Sequence, residues 1–251
     1  MASFGRKLIA GNWKMNGLQA SLAQARGVAE ALDRLPCPNR VALCPPATLI
    51  VPMVQALEGS EVAVGGQNCS VEVSGAFTGE ISAEMLADAG AGLVILGHSE
   101  RRQMFGETDE SVAAKVGAAL RAGIEPIVCV GETLNERRAG HALDVVARQV
   151  RGSCPPELRG CAFAVAYEPV WAIGSGLTPT LEEIEQVHGA IRGLLTESLG
   201  EAGRTAPILY GGSVKPSNAR EILAAHEVGG ALVGGASLQA DDFLAIIRAA
   251  D

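Results

Sequence analysis

The chain has 251 residues, is 48% hydrophobic and 19% charged, and carries a formal net charge of −8. That length allows one large core or two small ones, and the lack of a basic tail or Lys/Arg cluster argues against a nucleic-acid partner. No apolar run reaches membrane-spanning length, and Met1 to Ala10 is too short and mixed for a signal peptide, so neither a membrane nor a secretory location is expected.

No Ser/Gly/Pro-rich linker, like-charge block or low-complexity tract interrupts residues 1–251, which predicts one domain. Aromatic residues make up only 4%, so the core must be Ala, Val, Leu and Ile. Cysteines at positions 37, 44, 69, 129, 154 and 161 show no CxxC and no metal-ligand spacing. They read as small buried thiols in a reducing cytosol, which predicts a cytoplasmic protein.

The elements follow one rhythm. Lys7 to Asn12 is a first strand, and Leu18 to Leu35 is helical in composition. Arg40 to Cys44 is a second strand, stopped by Pro45-Pro46, with a helix from about Leu49. Val62 to Gly65 is a third strand. A long aperiodic loop follows from Gln67 to about Gly79, then a short helix from about Ser82 to Ala89. Leu93 to Leu96 is a fourth strand, ending at Gly97-His98. A helix over Asp109 to Ala122 is closed by Gly123 in the C′ position. Ile124 to Val130 is a fifth strand, followed by Gly131-Glu132 and helical text from Leu134 to Arg151.

After Pro155-Pro156, Cys161 to Ala166 reads as a buried strand that runs into Tyr167-Glu168. Thr180 is a plausible N-cap, with Glu183 three residues on, for a helix from Leu181 to about Ser198. Pro207 to Tyr210 is a seventh strand, followed by Gly211-Gly212-Ser213-Val214. A short helix starts near Pro216 to Ala219. Gly230 to Val233 is an eighth strand, Ala236-Ser237-Leu238 could start a short helix, and the last helix begins at Asp241 or Asp242.

Alternating strands and helices imply a parallel sheet under helical cover. An open doubly wound sheet would also fit, but two features favour a closed (β/α)8 barrel. The strand count matches a barrel of this length. Polar residues also recur at the carboxyl ends of different strands: Asn12, Asn68, His98, Glu132, Glu168 and Ser213. A barrel brings those ends to one mouth. No dinucleotide-type glycine fingerprint follows the first strand.

Three ionisable residues follow strands one, four and six: Lys14, His98 and Glu168. Each has a plain alternative: a solvated amine, a hydrogen-bonded structural histidine, an ordinary loop carboxylate. Brought to one mouth, they could pass a proton and steady an oxyanion. His141, His188 and His226 fall in helical text that reads as surface. No metal cluster competes, and no HExxH or Cys pair is present. Gly174, Gly211-Gly212-Ser213 and Gly234-Gly235 read either as tight packing or as backbone N–H groups gripping a phosphate at the loops after strands seven and eight. Pro169 stiffens the chain beside Glu168, and Gly174 and Gly176 permit movement of the loop beyond.

Five segments together resemble the triosephosphate isomerase family along essentially the whole chain. They are Asn12-Trp13-Lys14-Met15-Asn16-Gly17, Gly75-Ala76-Phe77-Thr78-Gly79-Glu80, Gly97-His98-Ser99-Glu100-Arg101-Arg102, Tyr167-Glu168-Pro169-Val170-Trp171-Ala172-Ile173-Gly174 and Tyr210-Gly211-Gly212-Ser213-Val214. Members of that family combine a glutamate base, a neutral histidine and loop closure. The resemblance implies a TIM barrel that interconverts dihydroxyacetone phosphate and D-glyceraldehyde 3-phosphate, in glycolysis and gluconeogenesis, without metal or cofactor.

It further implies that Glu168 is the base, neutral His98 the electrophile and proton shuttle, Lys14 the positive charge, and Asn12 a second orienting group. Gly174, Ser213, Gly234 and Gly235 would bind phosphate. Ser99 would contact Glu168 in the open state, Glu100 would position the Lys14 region, and Cys129 would be structural support. Pro169-Val170-Trp171-Ala172-Ile173-Gly174-Ser175-Gly176-Leu177-Thr178-Pro179 would form a lid. Leu177 stands where many relatives have lysine, which points to altered lid opening rather than altered chemistry, and Ser175 stands where threonine is usual, a mild change that keeps the hydroxyl. Phe77 and Thr78 would dock into a second copy, giving a homodimer, with a tetramer left open.

Overall fold

In the computed structural model, residues 6–173 and 177–251 are described. Gly174, Ser175 and Gly176, expected within the lid and with Gly174 expected to bind phosphate, lie outside them. The strands are β1 Leu8–Asn12, β2 Arg40–Cys44, β3 Ala63–Gly66, β4 Leu93–Leu96, β5 Glu125–Val130, β6 Ala164–Tyr167, β7 Ile208–Tyr210 and β8 Gly230–Val233. They pair in parallel in sequence order, and β8 pairs with β1 to close the ring. The expected closed barrel is therefore the fold.

The helices around it are α1 Leu22–Arg34, α2 Ile50–Ala56, α3 Ala83–Asp88, α4 Ser99–Phe105, α5 Asp109–Arg121, α6 Leu134–Arg138, α7 Ala142–Ser153, α8 Leu181–Leu199, α9 Glu201–Thr205, α10 Ala219–Ala224 and α11 Ala240–Ala249. Local chemistry sets several of their ends. Ser82, Thr108, Thr133 and Thr180 accept backbone N–H groups at helix starts, the last three with reciprocal capping boxes. Gly106 ends α4 in the left-handed region at φ 67°.

Side chains alternate across each strand. Leu8, Ala10, Ala42, Cys44, Leu93, Ile95, Ile127, Cys129, Ala164, Ala166, Leu209 and Leu232 fill the barrel interior. The intervening Ile9, Val41, Leu43, Val128, Val165, Tyr167 and Tyr210 pack outward in the layer shared with the helices. Continuing the inward set by one step brings Asn12 above Ala10 and Glu168 above Ala166. The same two-residue period that builds the core thus aims both side chains at the mouth.

Several expectations change. β6 starts at Ala164 rather than Cys161, because a 3-10 turn over Pro156–Leu158 and Gly160 at φ 79° hold the chain outside the sheet until then. Cys161 is exposed and Cys37 half-buried, whereas the other cysteines are buried as expected. The helical text from Leu134 to Arg151 splits into α6 and α7, with Gly140 at φ 80° between them. Helix α4, which fills the turn after β4, was not expected, although its helix-forming residues end at a glycine.

His188 is a further change. It is fully buried, in edge-to-face contact with Tyr167 at 5.8 Å between ring centroids. Its position on α8 faces the barrel rather than solvent. Among the described residues, no helix is long and apolar enough to cross a membrane.

Candidate active site

The mouth of the barrel holds a cavity of about 690 Å3 lined by Asn12, Lys14, His98, Glu168, Ile173, Ser213, Gly234 and Gly235, with Lys215 on its rim. The three ionisable residues singled out in the sequence therefore share one cavity.

β1 delivers the first pair. Asn12 is buried, and its Oδ1 accepts the Lys14 N–H at 3.0 Å. Lys14 is a non-glycine residue in the left-handed region, at φ 52°. Such backbone is uncommon for a side-chain-bearing residue and persists only where neighbours impose it. Gln67, at the end of β3, supplies one restraint: its amide donates to Lys14 O and to Cys44 O, each at 2.8 Å. Lys14 Nζ donates to Glu100 Oε1 at 2.5 Å.

His98 follows β4 and caps α4. Its Nδ1 accepts the Glu100 N–H at 3.2 Å, and its Nε2 lies 2.9 Å from Glu168 Oε1. An N–H donated to Nδ1 requires a lone pair there, so the ring is neutral and carries its proton on Nε2. Burial lowers the His98 pKa, and the adjacent Glu168 carboxylate more than offsets this and raises it. That upward pull lasts only while the carboxylate rests against the imidazole.

Glu168 follows β6 and is almost completely buried. Ser99 N–H donates to Oε2 at 2.8 Å and Ser99 Oγ–H to Oε1 at 3.2 Å. Burial pushes this carboxyl up, but His98 and the two Ser99 hydrogen bonds outweigh it and hold it below the usual carboxylate range. The side chain passes Gly211, where an added Cβ would stand 3.0 Å from Glu168 Cγ. Gly211 thus leaves room for the carboxylate arm, a role distinct from the phosphate grip read for it in the sequence. Cys129 lies beneath. Burial, then the Glu168 charge, pushes its thiol well above the ordinary range, so it remains uncharged.

Gly234 faces the amine, with an added Cβ at 3.6 Å from Lys14 Cε. Gly235 opens a 3-10 turn to Leu238, anchored where Ser237 donates to Gly234 O through N–H at 2.8 Å and Oγ–H at 2.7 Å. The Ser213 carbonyl accepts from Asn218 Nδ2 at 3.1 Å.

Two polar strand-end residues do not join them. Asn68 accepts Lys115 Nζ at 2.9 Å. Glu132 is fully buried and accepts from Arg137 Nε at 2.6 Å, Trp171 Nε1 at 2.8 Å and Tyr167 OH at 3.2 Å. It therefore grips the segment just after Pro169. No sequence pattern marked Gln67 or the Glu132 grip, since each depends on partners distant in the chain.

Exposed apolar residues lie beside the mouth. Met15, Met104 and Phe105 border a groove of about 770 Å3 that also reaches Lys14, Glu100 and Asn68. Phe77 and Thr78 sit on an exposed loop whose base is tied by Ser70 N–H to Ile81 O at 2.7 Å.

A closed (β/α)8 barrel with carboxylate, imidazole and amine at the carboxyl ends of its strands is an enzyme architecture. The family model described as triosephosphate isomerase matches residues 7–250. The triosephosphate isomerase of Caulobacter vibrioides is 62% identical over 97% of this chain and 96% of its own length. That of Afipia carboxidovorans is 57% identical over 97% of each. The crystal structure of triosephosphate isomerase from Bartonella henselae superimposes with a TM-score of 0.91 at 45% identity, covering 97% of this chain and 98% of that one. The chain belongs to the triosephosphate isomerase family.

Proposed function

We propose that this chain interconverts dihydroxyacetone phosphate and D-glyceraldehyde 3-phosphate by proton transfer through an enediolate. The observation that carries this reading is the 2.9 Å approach of His98 Nε2 to Glu168 Oε1 in the cavity that also holds Lys14. Glu168 leaves Ser99, removes a proton from the carbon beside the ketone and returns it to the neighbouring carbon. Between those steps, negative charge resides on the substrate oxygen. The Nε2–H of neutral His98 donates to that oxygen and moves a proton between the two oxygens, while Lys14 stabilises the charge. A neutral imidazole matches an enediol better than an imidazolium does.

Asn12 Oδ1 fixes the Lys14 backbone, and its side chain orients the substrate from β1. Backbone N–H groups of Ser213, Gly234 and Gly235 hold the phosphate, which suits a chain of net charge −8. The segment 169–179 closes over it and keeps out water. The apolar rim of Met15, Met104 and Phe105 receives the Phe77–Thr78 loop of a second copy, making a homodimer. Light scattering giving a monomer at micromolar concentration would overturn that assembly.

The reaction itself is tested by coupling glyceraldehyde 3-phosphate turnover to a dehydrogenase that consumes its product. Strong turnover is expected. Phosphate-free glyceraldehyde should react very poorly, because phosphate binding closes the lid. Absence of turnover by the folded protein would overturn the assignment.

A further inference from the structure

Glu168 stands just beyond β6, yet its backbone is still part of the ladder. Its N–H donates to Val130 O at 2.7 Å, and Val170 N–H donates to Glu132 O at 3.1 Å. The carbonyls of Val130 and Glu132 therefore face β6. In extended chain, successive residues turn their polar groups to opposite edges. Gly131, between those two, turns its N–H and C=O to the β4 side.

Among the described residues, no strand meets them there. β4 ends at Leu96, opposite Val128, and His98 already caps a helix. Gln149 on α7 takes the place of the missing strand. Its Oε1 accepts the Gly131 N–H at 2.7 Å, and its Nε2–H donates to Gly131 O at 3.1 Å. An Asn or Gln amide offers donor and acceptor side by side in this way at any pH. Gln149 is buried, so water does not substitute for it.

Gly131 in turn touches the base. A Cβ added at Gly131 would lie 1.7 Å from Glu168 O, which places the two backbones in direct contact. Behind them is a cavity of about 140 Å3 whose walls include Gln149, Gly131 and Glu168. Without the amide, Gly131 can move into that space and Glu168 can follow.

The geometry points to Gln149 as a positioning residue for Glu168, acting through Gly131 and never touching substrate. This rests on the reading of Glu168 as the base. Its consequence is a change in kcat with little change in KM, because the phosphate contacts lie on other strands.

The test compares Gln149→Leu, Gln149→Met, Glu168→Asp and the Gln149→Leu/Glu168→Asp double variant in the coupled assay. Circular dichroism confirms folding at the assay temperature. Gln149→Met keeps the length of the side chain without donor or acceptor for Gly131, and it serves if the leucine variant does not fold. Each single Gln149 variant should lower kcat about tenfold or more, since ångström misplacement costs on the order of a hundredfold. KM should stay within about twofold. In the Glu168→Asp background, Gln149→Leu should cost less than about threefold, since the two changes act on one group.

A folded Gln149 variant with unchanged kcat overturns the proposal. An equal fold-loss in both backgrounds also overturns it, because a general structural role would be additive. Full activity of Glu168→Asp alone overturns the base assignment and this inference with it, and that result needs no Gln149 substitution to be recognised.

Discussion

His98 and Glu168 are joined through Nε2 and Oε1 at 2.9 Å, while Ser99 donates twice to the same carboxylate. The carboxylate proposed as the base is therefore fully engaged by protein. In the proposed reaction, substrate draws it off these partners before it acts. Shortening it to Glu168→Asp leaves the backbone in place and moves the carboxylate by about an ångström, so kcat should fall on the order of a hundredfold. The coupled assay measures this. Wild-type-like activity would remove Glu168 from the role of base.

His98 is held with its proton on Nε2 by the Glu100 N–H. His98→Asn removes the Nε2–H donor and the proposed proton shuttle together. A loss of about 100- to 1000-fold in kcat is expected, the range seen when one oxyanion donor is deleted. Substrate KM should change far less. Initial rates across substrate concentration separate the two.

Gly211 tests how tightly the carboxylate arm is accommodated. Gly211→Ala sets a methyl 3.0 Å from Glu168 Cγ and 3.1 Å from Tyr167 O. The arm must give by a few tenths of an ångström, so kcat should drop severalfold with the fold retained. Unchanged kcat would show that the arm has slack.

His188 makes stability depend on pH. Burial pushes its pKa down to about 4, against the opposing bond to Glu227 O, and Arg192 adds to the lowering. The unfolded value is about 6.5. Between these values the unfolded chain takes up a proton that the folded chain refuses, so stability falls as pH drops from about 6.5 towards 4. From pH 7 to pH 5 this group alone should account for a loss of about 2 kcal/mol. Urea titrations of wild type and His188→Gln should differ by that amount in their pH dependence. Parallel pH dependence would exclude the effect.

Glu132 is a buried charge with three donors. Removing it leaves the half-buried Arg137 with Glu183, at 3.0 Å, as its remaining carboxylate and takes one acceptor from the Trp171 and Tyr167 donors. Glu132→Ala should destabilise the protein by about 1–3 kcal/mol, the cost of leaving buried polar groups without a partner. Denaturant midpoints would show it, and loss of less than about 1 kcal/mol would contradict the reading.

Asn12, His98 and Glu168 were legible because each is a polar residue at the end of a short apolar run, and a barrel turns such ends to one place. β2, β4 and β8 were equally plain, being apolar runs bounded by Pro, Gly or Asn. Gln149 and Gln67 were not, since their partners are backbone atoms that leave no sequence pattern. His188 was misread because one residue in a helix does not reveal its face without the whole packing of α8. Glu132 looked like a mouth residue for the same reason as Glu168. Its neighbour Arg137, one turn into α6, is what draws it aside.

The bond from Glu168 N–H to Val130 O has a mechanical meaning. The main chain at the reacting carboxylate has the stiffness of a sheet, while the carboxylate has the reach of a long side chain. In the proposed reaction the Glu168 carboxylate works as a lever on a fixed fulcrum, turning by bond rotation alone. The pivot belongs to the barrel.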